Sequence, residues 1–217
     1  MLFRSPEYIF QTTAEWIYGE CALAGRSRPM LLRLFEQLLR RGGTPVAQTT
    51  LAEESGMANN TVARGYVDLL SDLLVLGTAE PWDASRKIRV PRKSSKYPFV
   101  NLLAANTWWK NRYTTPGALM SAPGEERGMW WEWAVAAELF RRAAKAGHPT
   151  PLQSLFWRTD DHEIDFVRQG KPWIEAKAGK ASPFEFGWFS KSVADEKLLV
   201  VNTEPFGGDR IQGATLE

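Results

Sequence analysis

The stretch 162-HEIDFVRQGKPWIEAK-177 decides the fold of the second half of the chain, because it reads as two strands joined by a tight turn. HEIDFVR (162–168) and KPWIEAK (171–177) are rich in Ile, Val, Phe and Trp, and Gln169-Gly170 between them favours a hairpin. Both strands also carry charged residues. Burying a lone charge costs free energy, so these charges need partners.

Side chains of a strand alternate between its two faces. The alternation predicts two sets that each share a face, namely Glu163, Asp165 and Val167 on one strand and Trp173, Glu175 and Lys177 on the other. The opposite faces are predicted to hold Ile164, Phe166, Ile174 and Ala176. The hairpin then brings Asp165 beside Glu175, and adjacent carboxylates repel unless a cation lies between them. Lys177 offsets this repulsion in part, and Mg²⁺, which prefers carboxylate oxygen, does so better.

A further carboxylate comes from the long helix predicted over about residues 125–146. In 128-GMWWEWAVAAEL-139, tryptophans and alanines surround Glu132. A buried carboxylate is costly without a partner, so Glu132 either points away from the aromatic face or meets a metal ion or Lys177. An ordinary surface position on the helix is the alternative for Glu132.

Other interpretations of the charged residues stay open. Asp165, Glu175 and Lys177 are also consistent with a structural ion-pair network on a half-exposed sheet. His162 and Arg158 flank the same region. We interpret His162 as an inert histidine at an exposed loop end, with a role in the site as the alternative. We interpret Arg158 as a solvated side chain, with contact to a phosphate as the alternative. Eight of the ten tryptophans follow residue 100, and core and inter-domain packing explains them most simply. Stacking of an exposed tryptophan on an unpaired base is the alternative.

The first half of the chain is predicted to be helical. Residues 30–41, MLLRLFEQLLRR, place apolar side chains at helical intervals. Thr50 precedes Glu53 by three residues, the pattern of a capping box at a helix start. A second helix is predicted to follow the capping segment Asn59-Asn60-Thr61 and to run to about Leu74. Two helices joined by a Gly-containing turn form a helix-turn-helix.

Two short strands are predicted in VLGTAEPWDASRKIRVP (75–91), which would complete a winged helix. The net charge of the chain is only +2, but six of eleven residues in 86-RKIRVPRKSSK-96 are basic. The candidate nucleic-acid-binding residues are Arg86, Lys87, Arg89, Arg92, Lys93 and Lys96. Non-core positions of the second helix include Arg64, Asp68 and Asp72. Two acids are unfavourable beside phosphates, so the wing is the better DNA-binding candidate, and contact with a protein partner is the alternative.

Composition excludes several classes of protein. With one cysteine, Cys21, the chain of 217 residues forms no intramolecular disulfide, which is consistent with the cytoplasm. No apolar run approaches the roughly 18 residues of a membrane span, and the first ten residues lack the apolar run of a signal peptide. A hydrophobic content of 44% allows a globular core.

The predicted order of elements after residue 124 is helix, three strands, helix, strand. With Gly128-x-x-x-Glu132, Asp165 and Glu175-x-Lys177, this order resembles the PD-(D/E)XK nuclease superfamily. The resemblance is closer to the C-terminal domain of unknown function of bacterial and archaeal AAA+ ATPases, a winged helix followed by a nuclease-like module. Residues 30–202 carry it, in TLAEESGMANNTVARGYVDLLSDLLVL, KSSKYPF, GMWWEWAVAAEL, FWRTDDHEIDFV and WIEAKAG.

Two departures from that family are visible. The phosphate-binding loop Gly-x-x-x-x-Gly-Lys-Ser/Thr of the ATPases is missing, so no nucleotide site is expected. The chain is therefore expected to be either the C-terminal part of a longer ATPase or a relative without the motor, with an ATPase module as partner in cis or in trans. The family usually has an acidic residue at the position of Asn101.

The resemblance implies an α+β fold in three parts: a helical N-terminal segment (1–29), a winged helix-turn-helix domain (30–97) and an α/β restriction-endonuclease-like (αβββαβ) domain (98–217). It implies Mg²⁺- or Mn²⁺-dependent hydrolysis of DNA, with metal ligands Asp165, Glu175 and Glu132 and the carbonyl of Ala176. Lys177 would orient or deprotonate the attacking water. The alternative is a non-catalytic DNA- or protein-binding module that uses the nuclease fold as a scaffold.

Overall fold

The computed structural model describes residues 6–91, 93–193 and 195–216, and within them the chain is an α+β protein with eight α-helices and one mixed seven-stranded sheet. The helices are α1 (Pro6–Leu23), α2 (Arg28–Arg41), α3 (Gln48–Glu54), α4 (Asn60–Asp72), α5 (Leu102–Trp108), α6 (Pro116–Met120), α7 (Gly124–Lys145) and α8 (Phe189–Ser192), with a 3₁₀ helix at Pro183–Phe186. The strands are β1 (Thr78–Asp83), β2 (Ile88–Arg89), β3 (Gln153–Arg158), β4 (Glu163–Val167), β5 (Trp173–Ala176), β6 (Leu198–Asn202) and β7 (Ile211–Thr215). Among these helices, none combines the length and apolar character that a membrane crossing requires.

Local sequence signals account for most helix boundaries. The apolar positions predicted for α2 are buried, and the helix ends at Arg41 with Gly42 as its C-cap. The Asn59 side chain caps α4 by accepting a hydrogen bond from the Val62 N–H at 3.0 Å. The capping box predicted at Thr50 is wrong, because α3 already begins at Gln48 and has no side-chain cap. Asn101 caps α5 by accepting from the Ala104 N–H at 3.0 Å, which gives this position a structural role.

The sheet has the order β2-β1-β3-β4-β5-β6-β7. Strands β3, β4 and β5 are antiparallel neighbours, whereas β6 runs parallel to β5 and β7 runs parallel to β6. The predicted wing corresponds to the antiparallel pair β1 and β2, and β1 also pairs in parallel with β3. One sheet therefore continues across the boundary predicted at residues 97/98, and the division into domains stays a prediction.

Helix α7 lies between the helices of the first half and the sheet. On one side Trp130 and Trp133 belong to the core of α1–α5, and the Trp133 ring centroid lies 4.8 Å from that of Phe99. On the other side Val135 and Ala136 pack against the sheet. Packing on both sides fixes the helix, and with it any polar side chain in its first turns.

Strand β4 contains a bulge that sequence reasoning missed. Leu155 pairs with Val167 and Trp157 pairs with Ile164, so three residues of β3 face four of β4. As a result Ile164 and Val167 pack in the same cluster, and Phe166 packs in a different one. The strict alternation predicted for this strand is therefore wrong. On β5 the alternation holds, because Trp173 and Ile174 pack in different clusters.

Candidate functional site

The hairpin of β4 and β5 places Asp165 and Glu175 next to each other. The strands pair Phe166 with Ile174, so Asp165 and Glu175 form the next facing pair. Asp165 Oδ2 accepts a hydrogen bond from the backbone N–H of Ala176 at 3.0 Å. Asp165 and Glu175 are only 8% and 7% exposed, so their charges interact through the protein interior rather than through water.

Glu175 is only partly compensated by its partner. The Lys177 Nζ lies 3.0 Å from Glu175 Oε1, and the Lys177 side chain is 45% exposed. Glu175 Oε2 is buried and has no hydrogen-bond partner within the described part of the chain. A buried carboxylate oxygen without a hydrogen-bond partner costs free energy of folding. Glu175 Oε2 is therefore the atom of the cluster at which a further ligand would be stabilising.

Lys96, which we predicted to bind nucleic acid, lies in the protein interior and is 1% exposed. Its ammonium group donates to Glu132 Oε1 at 3.1 Å and Asp165 Oδ1 at 3.0 Å, and lies 2.5 Å from Glu163 Oε1. The prediction for Lys96 is therefore wrong, because a buried and fully paired amine cannot reach a phosphate backbone. The sequence does contain one indication that Lys96 is buried, namely the apolar run that begins directly after it.

The backbone holds Lys96 in place. Lys96 and Ala79 of β1 exchange two backbone hydrogen bonds, both of 2.9 Å. The preceding Ser95 exchanges two more with Val46, at 2.9 and 3.0 Å. The segment is therefore fixed between β1 and the turn that follows α2, and Lys96 enters the cluster from a rigid backbone.

Glu132 projects from α7 toward the turn between α2 and α3. A Cβ atom added at Gly43 would lie 2.1 Å from Glu132 Oε2, so no larger residue fits there without displacing the carboxylate. The Glu132 side chain is thus enclosed by Gly43 on one side and Lys96 on the other. Sequence reasoning identified Glu132 but not the requirement for glycine at position 43.

Burial and mutual repulsion shift the pKa values of these groups. Desolvation, and then the charge of Asp165, raise the pKa of Glu132 to about 7 and that of Glu175 to about 8, against the opposing effects of Lys96 and Lys177. Burial alone would lower the pKa of each lysine. The carboxylates outweigh it, so the pKa values of both lysine amines are raised and both remain protonated at neutral pH.

The cluster has two parts that share Asp165. The first, which we call the Lys96 group, consists of Lys96, Glu132, Glu163 and Asp165. The second is the Glu175–Lys177 pair. Over the described ranges, no ion pair or hydrogen bond joins Glu132 to Glu175, and no set of three or more His, Cys, Asp or Glu residues has a metal-binding arrangement. Glu132 as a metal ligand stays a prediction.

The basic hairpin, described over residues 83–91 and 93, lies on the surface. Its side chains Arg86, Lys87, Arg89 and Lys93 are exposed, and Arg92 lies outside the described residues. Arg86 lies 3.8 Å from Asp83, and Arg89 lies 2.9 Å from Glu80. Exposed ion pairs of this kind are weak, so both guanidinium groups are able to exchange partners.

The two flanking residues have structural partners. The His162 ring stacks on Trp188, with centroids 4.0 Å apart and an interplanar angle of 6°. Arg158 lies 3.6 Å from Glu163 at the exposed edge of the Lys96 group. His162 is half-buried, so the exposed position that we predicted for it at the loop end is wrong.

We expect the free energy of unfolding in metal-free buffer to fall as pH rises from about 5 to about 8.5. Glu132 and Glu175 keep protons in the folded state that the unfolded chain releases near pH 4.5. The stability that these bound protons contribute is therefore complete below pH 4.5. It is lost as the pH rises through the folded-state pKa values of Glu132, about 7, and Glu175, about 8. Urea denaturation at several pH values in this range measures the effect. The free energy of unfolding should decline less steeply with pH for Glu175→Gln than for wild type.

The matched control for this pH dependence is Glu204→Gln. Glu204 also pairs with a lysine, Lys180 at 2.6 Å, but both side chains are exposed. The control should keep the wild-type slope. A wild-type slope in Glu175→Gln as well would show that burial of Glu175 does not set the pH dependence.

Comparison with protein-family models, with curated proteins and with solved structures gives no match to this chain. The resemblance described above therefore stays a prediction, and the geometry of the cluster supports a function on its own. Two adjacent buried carboxylates, one of them incompletely satisfied, beside a half-exposed ammonium group form a site that is able to hold a cation and to contact an anion.

Proposed function

We propose that this chain hydrolyses phosphodiester bonds of DNA with Mg²⁺ or Mn²⁺, at a site formed by Asp165, Glu175 and Lys177. The observation that carries the proposal is the buried Asp165–Glu175 pair with its unpartnered Glu175 oxygen. When both carboxyl groups are ionised, such a pair needs a cation between them, and Lys177 reaches only the other oxygen of Glu175.

The residues present fit a single magnesium ion. Mg²⁺ is commonly held by one or two carboxylates, with water and substrate phosphate completing its coordination, rather than by an all-protein cage. Asp165, Glu175 and the carbonyl of Ala176 would hold the ion here. When bound, the ion lowers the pKa of water and stabilises negative charge on the phosphate.

Lys177 supplies positive charge rather than a base. In the metal-free protein the raised pKa keeps the Lys177 amine protonated at neutral pH, which favours orienting the attacking water over removing its proton. Its contact with Glu175 positions the ammonium, and its exposed surface leaves it accessible to a phosphate. A fixed cation beside the developing phosphate charge stabilises the transition state.

Asp165 is held in a fixed orientation by the rest of the cluster. The Ala176 N–H binds one of its oxygens, and Lys96 binds the other. Neither contact requires Asp165 to move when a cation is present. A preorganised carboxylate of this kind costs little reorganisation at the moment of reaction.

The arrangement of elements supports the finer fold assignment, which is part of the proposal. Helix α7 is followed by the antiparallel strands β3, β4 and β5, then short helices, then β6 parallel to β5. This is the order that a restriction-endonuclease-like domain implies. Helices α2–α4 followed by the β1–β2 hairpin match a winged helix, and an ATPase module is the proposed partner.

The direct test is divalent-ion binding and DNA cleavage by the wild-type protein. We expect Mn²⁺ and Mg²⁺ to bind by isothermal titration calorimetry and to raise the melting temperature. We expect end-labelled single- or double-stranded DNA to be cleaved with either ion and to stay intact with EDTA. Absence of ion binding, or intact DNA under all ion conditions, would overturn the proposal.

A second candidate function is non-catalytic DNA binding, and the exposed basic hairpin favours it. In this case DNA would bind without cleavage, and the affinity would fall as salt rises because bound phosphates release counterions. Neutralising Arg86, Lys87 and Arg89 together would remove that affinity. Binding without cleavage in saturating Mn²⁺ would favour this candidate over hydrolysis.

A further inference from the structure

We propose that the Lys96 ammonium group takes the place of a second metal ion, so that the site binds one divalent cation per chain. This inference rests on the proposed function, and it specifies a one-ion site held by Asp165 and Glu175. The sequence predicted Glu132 as a third ligand of the same ion. The structure instead provides Glu132 with a cation of the protein's own.

The coordination of Lys96 supports this replacement. An ammonium group donates three hydrogen bonds and accepts none. The Lys96 Nζ has three carboxylate neighbours, Glu132, Glu163 and Asp165, at 3.1, 2.5 and 3.0 Å. The donors are therefore fully used, and each carboxylate of the Lys96 group has a cation without any metal ion.

The spacing also fits an ammonium group better than magnesium. Oxygen ligands of Mg²⁺ lie about 2.0–2.1 Å from the ion, in a nearly octahedral arrangement. The oxygens around Lys96 Nζ lie 2.5 to 3.1 Å away, as in charge-assisted hydrogen bonds. An ion entering this position would have to expel a buried ammonium group whose backbone is fixed to β1.

The other side of Asp165 is different. Glu175 Oε2 lacks a partner there, and the nearby Lys177 is half-exposed rather than enclosed. On one side of Asp165 the Lys96 ammonium group therefore fills the place of a cation. On the other side, Glu175 Oε2 still lacks a hydrogen-bond partner. The expected stoichiometry is therefore one ion, even though four carboxylates meet in the cluster.

The test is the number of Mn²⁺ ions bound per chain, measured by titration calorimetry and by the electron paramagnetic resonance signal of free Mn²⁺. Wild type should bind one ion. Lys96→Met removes the built-in cation and leaves Glu132, Glu163 and Asp165 together, so it should bind two.

A charge-balanced double variant decides the role of Glu132 even if Lys96→Met fails to fold. Lys96→Met/Glu132→Gln removes one positive and one negative charge, so the net charge of the cluster is unchanged. If Glu132 pairs with Lys96 and not with the metal, this variant should still bind one ion, with a loss of affinity no larger than the roughly 10- to 100-fold that losing the Lys96 contact to Asp165 costs. The control is the exposed pair variant Lys180→Met/Glu204→Gln, which should bind like wild type.

The possible failures are distinguishable. Wild-type protein that binds no ion would overturn the proposed function and this inference with it. Two ions in wild type, one ion in folded Lys96→Met, or a loss of more than about 100-fold in the affinity of the double variant would overturn this inference alone. In the last case, Glu132 would be a ligand of the ion.

Discussion

Replacing Glu175 by glutamine is expected to lower the rate of divalent-ion-dependent DNA cleavage by about 10²- to 10³-fold, as does the loss of one electrostatic stabiliser in other enzymes. Glutamine preserves the volume of the side chain but removes its charge. Of the two carboxylates proposed to hold the ion, only Asp165 then remains. Lys177 also loses the carboxylate that positions it at 3.0 Å. The measurement is single-turnover cleavage of labelled DNA in saturating Mn²⁺.

Unfolding would not explain such a loss. Burial raises the pKa of Glu175 to about 8, so ionising it destabilises the metal-free fold, and the glutamine variant should be at least as stable as wild type above that pH. Glu204→Gln, which alters an exposed pair with Lys180, should keep wild-type cleavage. Normal cleavage by Glu175→Gln would remove Glu175 from the mechanism.

Lys96→Met is expected to lower the free energy of unfolding by about 3–5 kcal/mol at neutral pH, the usual cost of removing one partner from a buried ion pair. Methionine fills much of the lysine volume but leaves Glu132, Glu163 and Asp165 without their common cation. The loss should shrink as pH falls, because unpaired carboxylates take up protons in the folded state. Urea denaturation at pH 5 and pH 7.5 measures both effects.

The matched control is Lys180→Met, which removes an exposed lysine from a pair with Glu204 and should change stability by less than about 0.5 kcal/mol. Adding Glu132→Gln to Lys96→Met should restore part of the stability, since one of the uncompensated carboxylates disappears. A cost for Lys96→Met below about 1 kcal/mol would mean that the cluster is hydrated rather than a buried ion network.

Local pattern accounts for much of the fold. The apolar spacing of α2 and α7 and the Asn59 cap of α4 act within one or two turns of helix, so the sequence predicts them. The hairpin turn after β4 and the alternation in β5 likewise suffice to place Asp165 beside Glu175. Strand β7, IQGAT, lacks a continuous apolar run and was not predicted.

Tertiary packing determines what the sequence did not reveal. Lys96 meets carboxylates that lie 36 and 69 residues further along the chain, and no local pattern encodes such distances. Its place at the end of a basic run favoured a surface position instead. The bulge in β4 and the contact of Gly43 with Glu132 also arise only when β3 and the turn after α2 pack against their neighbours.

The pairing of β1 with β3 has a consequence for dissecting this protein. A shortened polypeptide that starts at residue 98 would expose the backbone N–H and C=O groups of β3 along an open edge, which promotes intermolecular association. It would also lack Lys96, the buried amine that compensates Glu132 and Glu163. The half of the chain that carries Glu132, Asp165 and Glu175 is thus not separable at residue 98, because the first half supplies both its neighbouring strand β1 and the counterion Lys96.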